Sequence, residues 1–470
     1  MFGLGKTGFS VADTLAELGV SVLVVTDQAD DLHLNMCEVI GVEVVFSSTE
    51  HPVPSGLNDF DADFAVVSPG YAPRHPLVVW AHEQAIPLWT DIDLAWRLRD
   101  KMGVPAEWIL ITGTNGKTTT TQLTASMLHA GGYRVAPCGN IGIPILDAIR
   151  DPQGFDFFVV ELSSYQLHYM NDVVPHSAVC LNFADDHLDW HGSREAYAEA
   201  KAKVYRNVRV ACVYNKADEL TMHMVELAEV VEGARAIGFD LGVPGMSDFG
   251  LVEDVLCDRA FLDDRHERAI EITTLGELAA QGLDSPHMVA NVLAASALAR
   301  AAGVSAEEIS AALASFEVDE HRHQVIAKVS GVTWIDDSKA TNPHAADAAL
   351  STHTSIVWIV GGLLKGVSLD ELVAKHMSRI KAAVVIGEDR LGVLGAFERH
   401  APGVPVHEVI ASETSEVMPA AVSIAARLAS DSDVVLLAPA AASMDQFTDY
   451  GQRGRLFVEA VTRQLGGHSD

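Results

Sequence analysis

An α/β fold in three domains built around parallel sheets is what this sequence predicts, and three observations predict it. Strand-like apolar runs alternate with helical ones along the chain, which is the pattern of parallel α/β sheets. Glycine-bracketed turns recur at residues 3–8, 113–116 and 361–366, the kind of turn with which such sheets hold anions. At 470 residues the chain exceeds one ordinary core, and a prior of about 150 residues per domain suggests three.

In the first hundred residues the apolar pattern predicts a helix over 10–18 and strands over 20–27 and 64–69. Gly3, Gly5 and Gly8 spell G-x-G-x-x-G, with Asp27 at the end of the next strand, close to a dinucleotide fingerprint. That fingerprint needs a strand before it, and only Met1 and Phe2 precede Gly3, so the polypeptide is expected to begin upstream with its first strand lost here. A polar stretch at 97–101 followed by Gly103 and Pro105 divides a domain 1–100 from the next. Strands follow at 108–111, 157–162, 178–182 and 208–214, with a helix at 118–130 whose apolar side carries Leu123 and Leu128. The charged segment 317–322 ends a domain 101–318, and the last, 319–470, holds strands at 332–335, 356–360, 382–386 and 434–437.

Composition excludes several classes. With 49% hydrophobic and 20% charged residues the chain is globular rather than disordered. A net charge of −32 repels phosphate backbones, so nucleic acid is not expected as a partner, and an anionic substrate must be met by local cations. The five cysteines are scattered without a C-x-x-C pair, which fits a reducing compartment and argues against structural zinc. No apolar run reaches the ~18 residues of a membrane span and no signal core opens the chain, so the cytoplasm is expected.

The strongest motif is ITGTNGKTTTTQ, residues 111–122. Ile111 stands where the full phosphate-loop pattern has glycine, yet the strand, the glycine turn and the helix start are all in place. The loop would surround an anion with backbone N–H groups, Lys117 would reach the outer phosphates and the Thr118 hydroxyl would ligate magnesium. The competing reading is an ordinary strand-to-helix turn with a solvated lysine. Glu161 ends the run FDFFVVE, where a parallel strand delivers a carboxylate to the ligand-binding edge. Asp185, Asp186, His187 and Asp189 crowd the next strand end, with His187 the favoured metal ligand. Tyr197, Lys201 and Tyr205 share a helix face, and from pattern alone Lys201 reads as solvent-facing. Lys339, Lys365 and Arg453 are cations on successive loops of an acidic chain, suited to a carboxylate or phosphate.

TGTNGKTTT, ELSSYQL, NFADDHLDWHG, the lysine of YAEAKAKVY, DEHRHQ, DSKATN, GGLLKG and LAPAAASMDQFTDYGQRG together resemble the Mur ligases of peptidoglycan synthesis, with DSKATN and SMDQF pointing to the D-glutamate-adding branch. The resemblance implies a Rossmann-like N-terminal domain for the UDP end of the substrate, a central ATPase, and a Rossmann-like C-terminal domain that supplies the amino-acid site and closes over ATP. The reaction implied is ATP-dependent addition of D-glutamate to UDP-N-acetylmuramoyl-L-alanine through an acyl phosphate, releasing ADP and phosphate. Gly113, Thr114, Asn115, Gly116, Lys117, Thr118 and Thr119 would hold ATP, with Asn291, Arg322 and Asp337 on its nucleoside. Thr118, Glu161, His187 and Lys201 would serve two magnesium ions, Lys201 as a carbamate, and Lys117, His187 and Lys201 would be catalytic. Gly5, Lys6, Thr7, Asp27, Gly70 and Asn140 would meet the UDP substrate. Lys339, Thr341, Lys365, Ser443, Met444 and Tyr450 would hold D-glutamate. The chain is expected to act as a monomer, without membrane insertion. A folylpolyglutamate synthase-like ligase, a nicotinamide-dependent oxidoreductase and a nucleotide-binding regulator without turnover are the alternatives.

Overall fold

Apolar four-residue runs separated by helices give the first strands. β1 (Leu23–Thr26) is buried throughout and pairs in parallel with β2 (Glu43–Phe46). β3 (Ala65–Val66) pairs in parallel with β4 (Leu88–Trp89). Phe2 joins these two ribbons, bridging Val25 on one side and Val67 on the other. Its N–H donates to the Val66 carbonyl at 2.9 Å, and its own carbonyl accepts from the Ser68 N–H at 2.8 Å. Both strands are shorter than the runs at 20–27 and 64–69, because the partner of β1 offers only four residues and Pro69 has no N–H to donate. The first helix, Lys6–Glu17, starts earlier than residue 10, since the glycine turn ends at its N-cap Gly5.

The computed structural model describes residues 1–101, 103–411 and 413–466. It divides into two compact units, Met1–Phe183 with Trp190–Glu317, and Ala184–Asp189 with Val318–Asp470. The large sheet of the first unit is built from β5 (Glu107–Thr112), β6 (Val135–Gly139), β7 (Phe157–Glu161), β8 (Ser177–Cys180), β9 (Ala211–Asn215), β10 (Arg235–Phe239), β11 (Asp248–Val252), β12 (Val255–Asp258) and β13 (Ile270–Thr274). Their spatial order is β13-β12-β11-β10-β9-β8-β5-β7-β6. β5 lies between β7 and β8, parallel to both, so the chain crosses to opposite sides of it and leaves a crevice at its C-terminal end. Trp108, Leu110, Phe158, Val160 and Cys180 pack the core beneath that end.

One departure from the expected parallel central sheet is its far edge, where β11, β12 and β13 run antiparallel. Only Glu253 and Asp254 separate β11 from β12, and Glu253 adopts φ +58°. A turn that short can close only a hairpin, whereas a parallel return needs a crossover of about a dozen residues.

The sheet of the second unit contains β14 (Gln324–Val329), β15 (Val332–Asp336), β16 (Ile356–Gly361), β17 (Ile380–Ile386), β18 (Val406–Glu408) and β19 (Val434–Leu437), in the order β14-β15-β19-β16-β17-β18. All pairs are parallel except β14 with β15. Apolar clusters cover both faces, which is why β16 reads as a continuous buried run rather than an alternating one. Among the described residues no helix is long and apolar enough to cross a membrane.

Candidate active site

The turn after β5 is shaped by two glycines. Gly113 has φ +154°, and Gly116, the N-cap of helix Lys117–Ala130, is left-handed at φ +82°. A Cβ on Gly116 would lie 2.3 Å from Asn291 Oδ1, so the helix Pro286–Ala301 fits only against glycine there. Asn182, just past β8, clamps the turn: its Oδ1 accepts from the Asn115 N–H at 2.9 Å and its Nδ2 donates to the Asn115 carbonyl at 3.1 Å. Thr114 Oγ1 lies 3.1 Å from the Tyr197 hydroxyl. Lys117 curls back over the turn, its Nζ donating to the Gly113 and Thr114 carbonyls, each at 2.9 Å.

Lys201 is not the solvent-facing lysine that pattern alone suggests. Its side chain is buried, at 2% exposure, and its Nζ donates to the same Gly113 carbonyl at 2.8 Å. The ammonium lies 4.7 Å from the centre of the Tyr197 ring, which supplies a favourable face for a cation lacking water. Glu161, at the end of β7, is equally buried; Oε1 accepts from Asn140 Nδ2 at 3.0 Å, while Oε2 is buried with no hydrogen-bond partner. An orphaned buried carboxylate oxygen suits a cation ligand. Among the described residues no group of three or more His, Cys, Asp or Glu is arranged for a metal. Magnesium needs no such cage, since it takes one or two carboxylates and fills its remaining positions from phosphate and water. Glu161 with the Thr118 hydroxyl therefore fits it.

Sequence reasoning missed Asn182 and also His191, whose Nε2 lies 2.9 Å from Ser164 Oγ and whose Nδ1 is buried without a partner. Burial, helped by the charges of His168 and Lys201, pushes the His191 pKa down to about 4, leaving it a neutral imidazole. The position of Asn182 at a strand end facing the glycine turn was the available signal for the clamp; His191 belongs to the His- and Asp-rich run NFADDHLDWHG, within which the sequence favoured His187 instead.

Around the first glycine turn, Gly3 at φ +93° and Gly8 are both required by close approach, since a Cβ on Gly8 would sit 2.2 Å from the Gly3 carbonyl oxygen. Gly5 and Gly70 border open space. Lys6 Nζ donates to the Gly142 carbonyl at 2.8 Å, and Thr7 lies beside it in the first helical turn. Asp27 Oδ1 accepts from the Tyr71 hydroxyl at 2.8 Å; burial first and this carboxylate second raise the Tyr71 pKa to about 12. Asn140, two residues before the Gly142 that Lys6 bonds, donates from Nδ2 to Glu161 Oε1.

In the second unit, His187 has φ +56° and its Nε2 lies 3.5 Å from Asp186 Oδ2. Lys365, also left-handed at φ +54°, places Nζ 3.7 Å from Asp186 Oδ1. Lys339 Nζ sits 3.8 Å above the Tyr450 ring. Thr341 donates its N–H to the Lys339 carbonyl, Ser443 is buried, and Met444 is exposed. Asp337 Oδ1 accepts from the His323 N–H at 3.2 Å, and Arg322 keeps Nη2 buried without a partner. Arg453 corrects an expectation: it is fully buried, and its guanidinium donates to Ser338 Oγ at 3.0 Å, the Ser338 carbonyl at 2.7 Å and the Ala441 carbonyl at 3.1 Å. Each guanidinium nitrogen is engaged in bracing two loops, and the side chain is fully buried, so it acts as a brace; burial lowers its pKa to about 10. Ser338 completes the brace by donating to the Tyr450 carbonyl at 2.7 Å.

A phosphate loop at a sheet switch point, with a cation-ready carboxylate and a second α/β sheet lined by lysines, defines the class of ATP-using ligases with a mononucleotide-binding core. Residues 111–299 match the Mur ligase middle domain and residues 321–441 the Mur ligase glutamate ligase domain. The chain belongs to the Mur ligase family. Among its relatives, UDP-N-acetylmuramoylalanine–D-glutamate ligase of Leifsonia xyli is 62% identical over 481 residues, covering 100% of this chain and 93% of the relative. The ligase of the same name from Streptomyces avermitilis is 49% identical over 99% of this chain and 97% of its own. Two solved structures share the fold: a pseudomurein peptide ligase type C from Methanothermus fervidus (TM-score 0.61, 16% identity, 98% of each chain) and the UDP-N-acetylmuramate-alanine ligase of Thermotoga maritima (TM-score 0.57, 20% identity, 98% and 99%).

Proposed function

We propose that this protein joins D-glutamate to UDP-N-acetylmuramoyl-L-alanine at the expense of ATP in peptidoglycan precursor synthesis, a reading supported by the names of the relatives described above. The observation that supports the chemistry best is the convergence of Lys117 and Lys201 on one loop carbonyl of a phosphate-type turn, with an unpartnered buried Glu161 oxygen on the neighbouring strand. The domains proposed are 1–100, 101–318 and 319–470.

A carboxylate resists nucleophiles because of its charge, so it needs activation. Attack of the substrate carboxylate oxygen on the γ-phosphorus, with ADP leaving, gives an acyl phosphate. Lys117 would exchange its loop carbonyls for phosphate oxygens, and the Gly113–Thr119 backbone would donate N–H groups at a helix N-terminus. Thr118 and Glu161 would hold one magnesium ion, and His187 with Lys201 would serve a second; such ions offset charge developing during phosphoryl transfer. Carbamylation would replace the Lys201 ammonium by an anionic oxygen donor. Asn291, Arg322 and Asp337 would contact the nucleoside. Gly5, Lys6, Thr7, Asp27, Gly70 and Asn140 would contact the nucleotide sugar. Lys339, Lys365, Thr341, Ser443, Met444 and Tyr450 would hold the two carboxylates of D-glutamate. Its amine attacks the acyl carbon, phosphate leaves, and His187 would take the amine proton.

Phosphate release should require ATP, magnesium, the nucleotide sugar and D-glutamate together. Equal release with L-glutamate or with no amino acid would overturn the reading. Lys201→Ala should lose activity and regain part of it with short carboxylic acids; full activity without rescue removes Lys201 from the mechanism.

A further inference from the structure

We infer that His323 and His353 form a binding site for a borderline divalent transition metal of the zinc class in the second unit. Their Nε2 atoms face each other at 3.2 Å, with the rings 8° from parallel. Two imidazole nitrogens each about 2.0–2.1 Å from a tetrahedral zinc stand roughly 3.3 Å apart, so the two lone-pair sites already have the separation such an ion requires.

The pair comes from different elements. His353 follows helix Pro343–Ser351, with its carbonyl held by Arg379 Nη1 at 2.7 Å. His323 precedes β14 and adopts φ +49°, two residues after His321 at φ +65°. A left-handed histidine is uncommon and costs of order 1 kcal/mol, so the segment is held in a conformation it would not choose for itself. The Asp337 carboxylate lies 3.9 Å from His323 Nδ1 and accepts the His323 backbone N–H at 3.2 Å, which holds the residue while Nε2 faces His353. Thr352 Oγ1, 3.4 Å from His323 Nε2, is the nearest hydroxyl, and water would complete the shell. Magnesium prefers oxygen donors and would not compete. The site stands independently of the ligase reading.

The test is calorimetric titration of the full chain with zinc chloride alone in excess magnesium, comparing the parent with His323→Gln, His353→Gln and, as a distant exposed control, His51→Gln. One binding event should weaken more than about 10-fold in each of the first two and remain in the control, since even an outer-shell partner costs about that much. Superimposable isotherms for all four proteins would overturn the site and leave a simple N–H···N hydrogen bond. The two variants lie on separate elements, and glutamine preserves a hydrogen bond at either position.

Discussion

The two glycine turns of the first unit differ in what stands behind them. The turn at Gly113–Gly116 follows a six-residue strand paired on both sides, clamped by Asn182 and covered by Asn291. The turn at Gly3–Gly8 is carried by Phe2, whose backbone bridges two ribbons of four and two residue pairs. Both turns use glycine for the same steric reason, yet one rests on a core shared by the whole sheet and the other on the few backbone bonds that Met1, Phe2 and Gly3 make to two short ribbons. Similar loop chemistry can therefore sit on supports of very different depth, and the stability of the two regions should separate in experiment.

The largest expected effect lies at the deep turn. Lys117→Met removes a cation whose present partners are two backbone carbonyls, so the fold should survive. Phosphate release should fall on the order of 10³-fold, the scale of losing a preorganised charge in phosphoryl transfer. A variant that retains a tenth of the activity would mean that the turn is ordinary after all.

Next is the shallow turn. Phe2 is 2% exposed and packs with Val25, Val67, Leu77 and Trp80. Phe2→Ala should cost roughly 3–5 kcal/mol locally. Hydrogen exchange should then accelerate in β1 and β3 while β5 and β7 stay protected; equal acceleration in both would show that the two regions open as one.

Legibility followed the same division. The buried strands β5, β7, β16 and β19 were readable because continuous apolar runs leave little choice, and the glycine turn after β5 came with them. β2, β4 and the β11–β13 edge went unread, being short, half-exposed or polar enough to resemble loop. Burial of Lys201 was invisible to pattern, since its helix turns a charged residue inward only because the Gly113 carbonyl and the Tyr197 ring await it. Arg453 showed the opposite failure: a cation on a loop looked like a ligand site but is consumed by backbone carbonyls. Charge can be counted in a sequence, whereas what satisfies it is a tertiary fact.

The seam between the two supports offers a pH test. Asp91 opens helix Asp91–Leu98, whose Ile92 and Leu94 enter the core of the large sheet. It is buried with Oδ1 unpartnered, and desolvation, only partly offset by its hydrogen bond with Gln166, raises its pKa to about 6. The folded state thus holds its proton more tightly than the unfolded chain. This contribution is fully present below the unfolded value near pH 4 and is lost as pH rises through about 6. Asp91→Asn should gain roughly 2–3 kcal/mol relative to the parent between pH 4 and pH 7. A stability difference that is flat across that range in denaturant titrations would place Asp91 in water.

Gly5 gives the smallest effect on stability and the sharpest separation of roles. It is the N-cap of helix Lys6–Glu17 at φ −134°, an extended conformation open to any residue, and an added Cβ would meet nothing within 4 Å. Gly5→Ala should therefore cost only a few tenths of a kcal/mol in folding, the usual difference at a cap without a side-chain acceptor. If the space beside it holds the diphosphate of the nucleotide sugar, the new methyl enters that space, and KM for the sugar should rise several-fold while kcat hardly moves. Gly8→Ala is the counterpart, since its Cβ would collide with the Gly3 carbonyl and the loss should appear in stability. An unchanged KM in Gly5→Ala would leave the shallow turn as a structural feature alone, because the one position with room for a ligand would then have none to exclude.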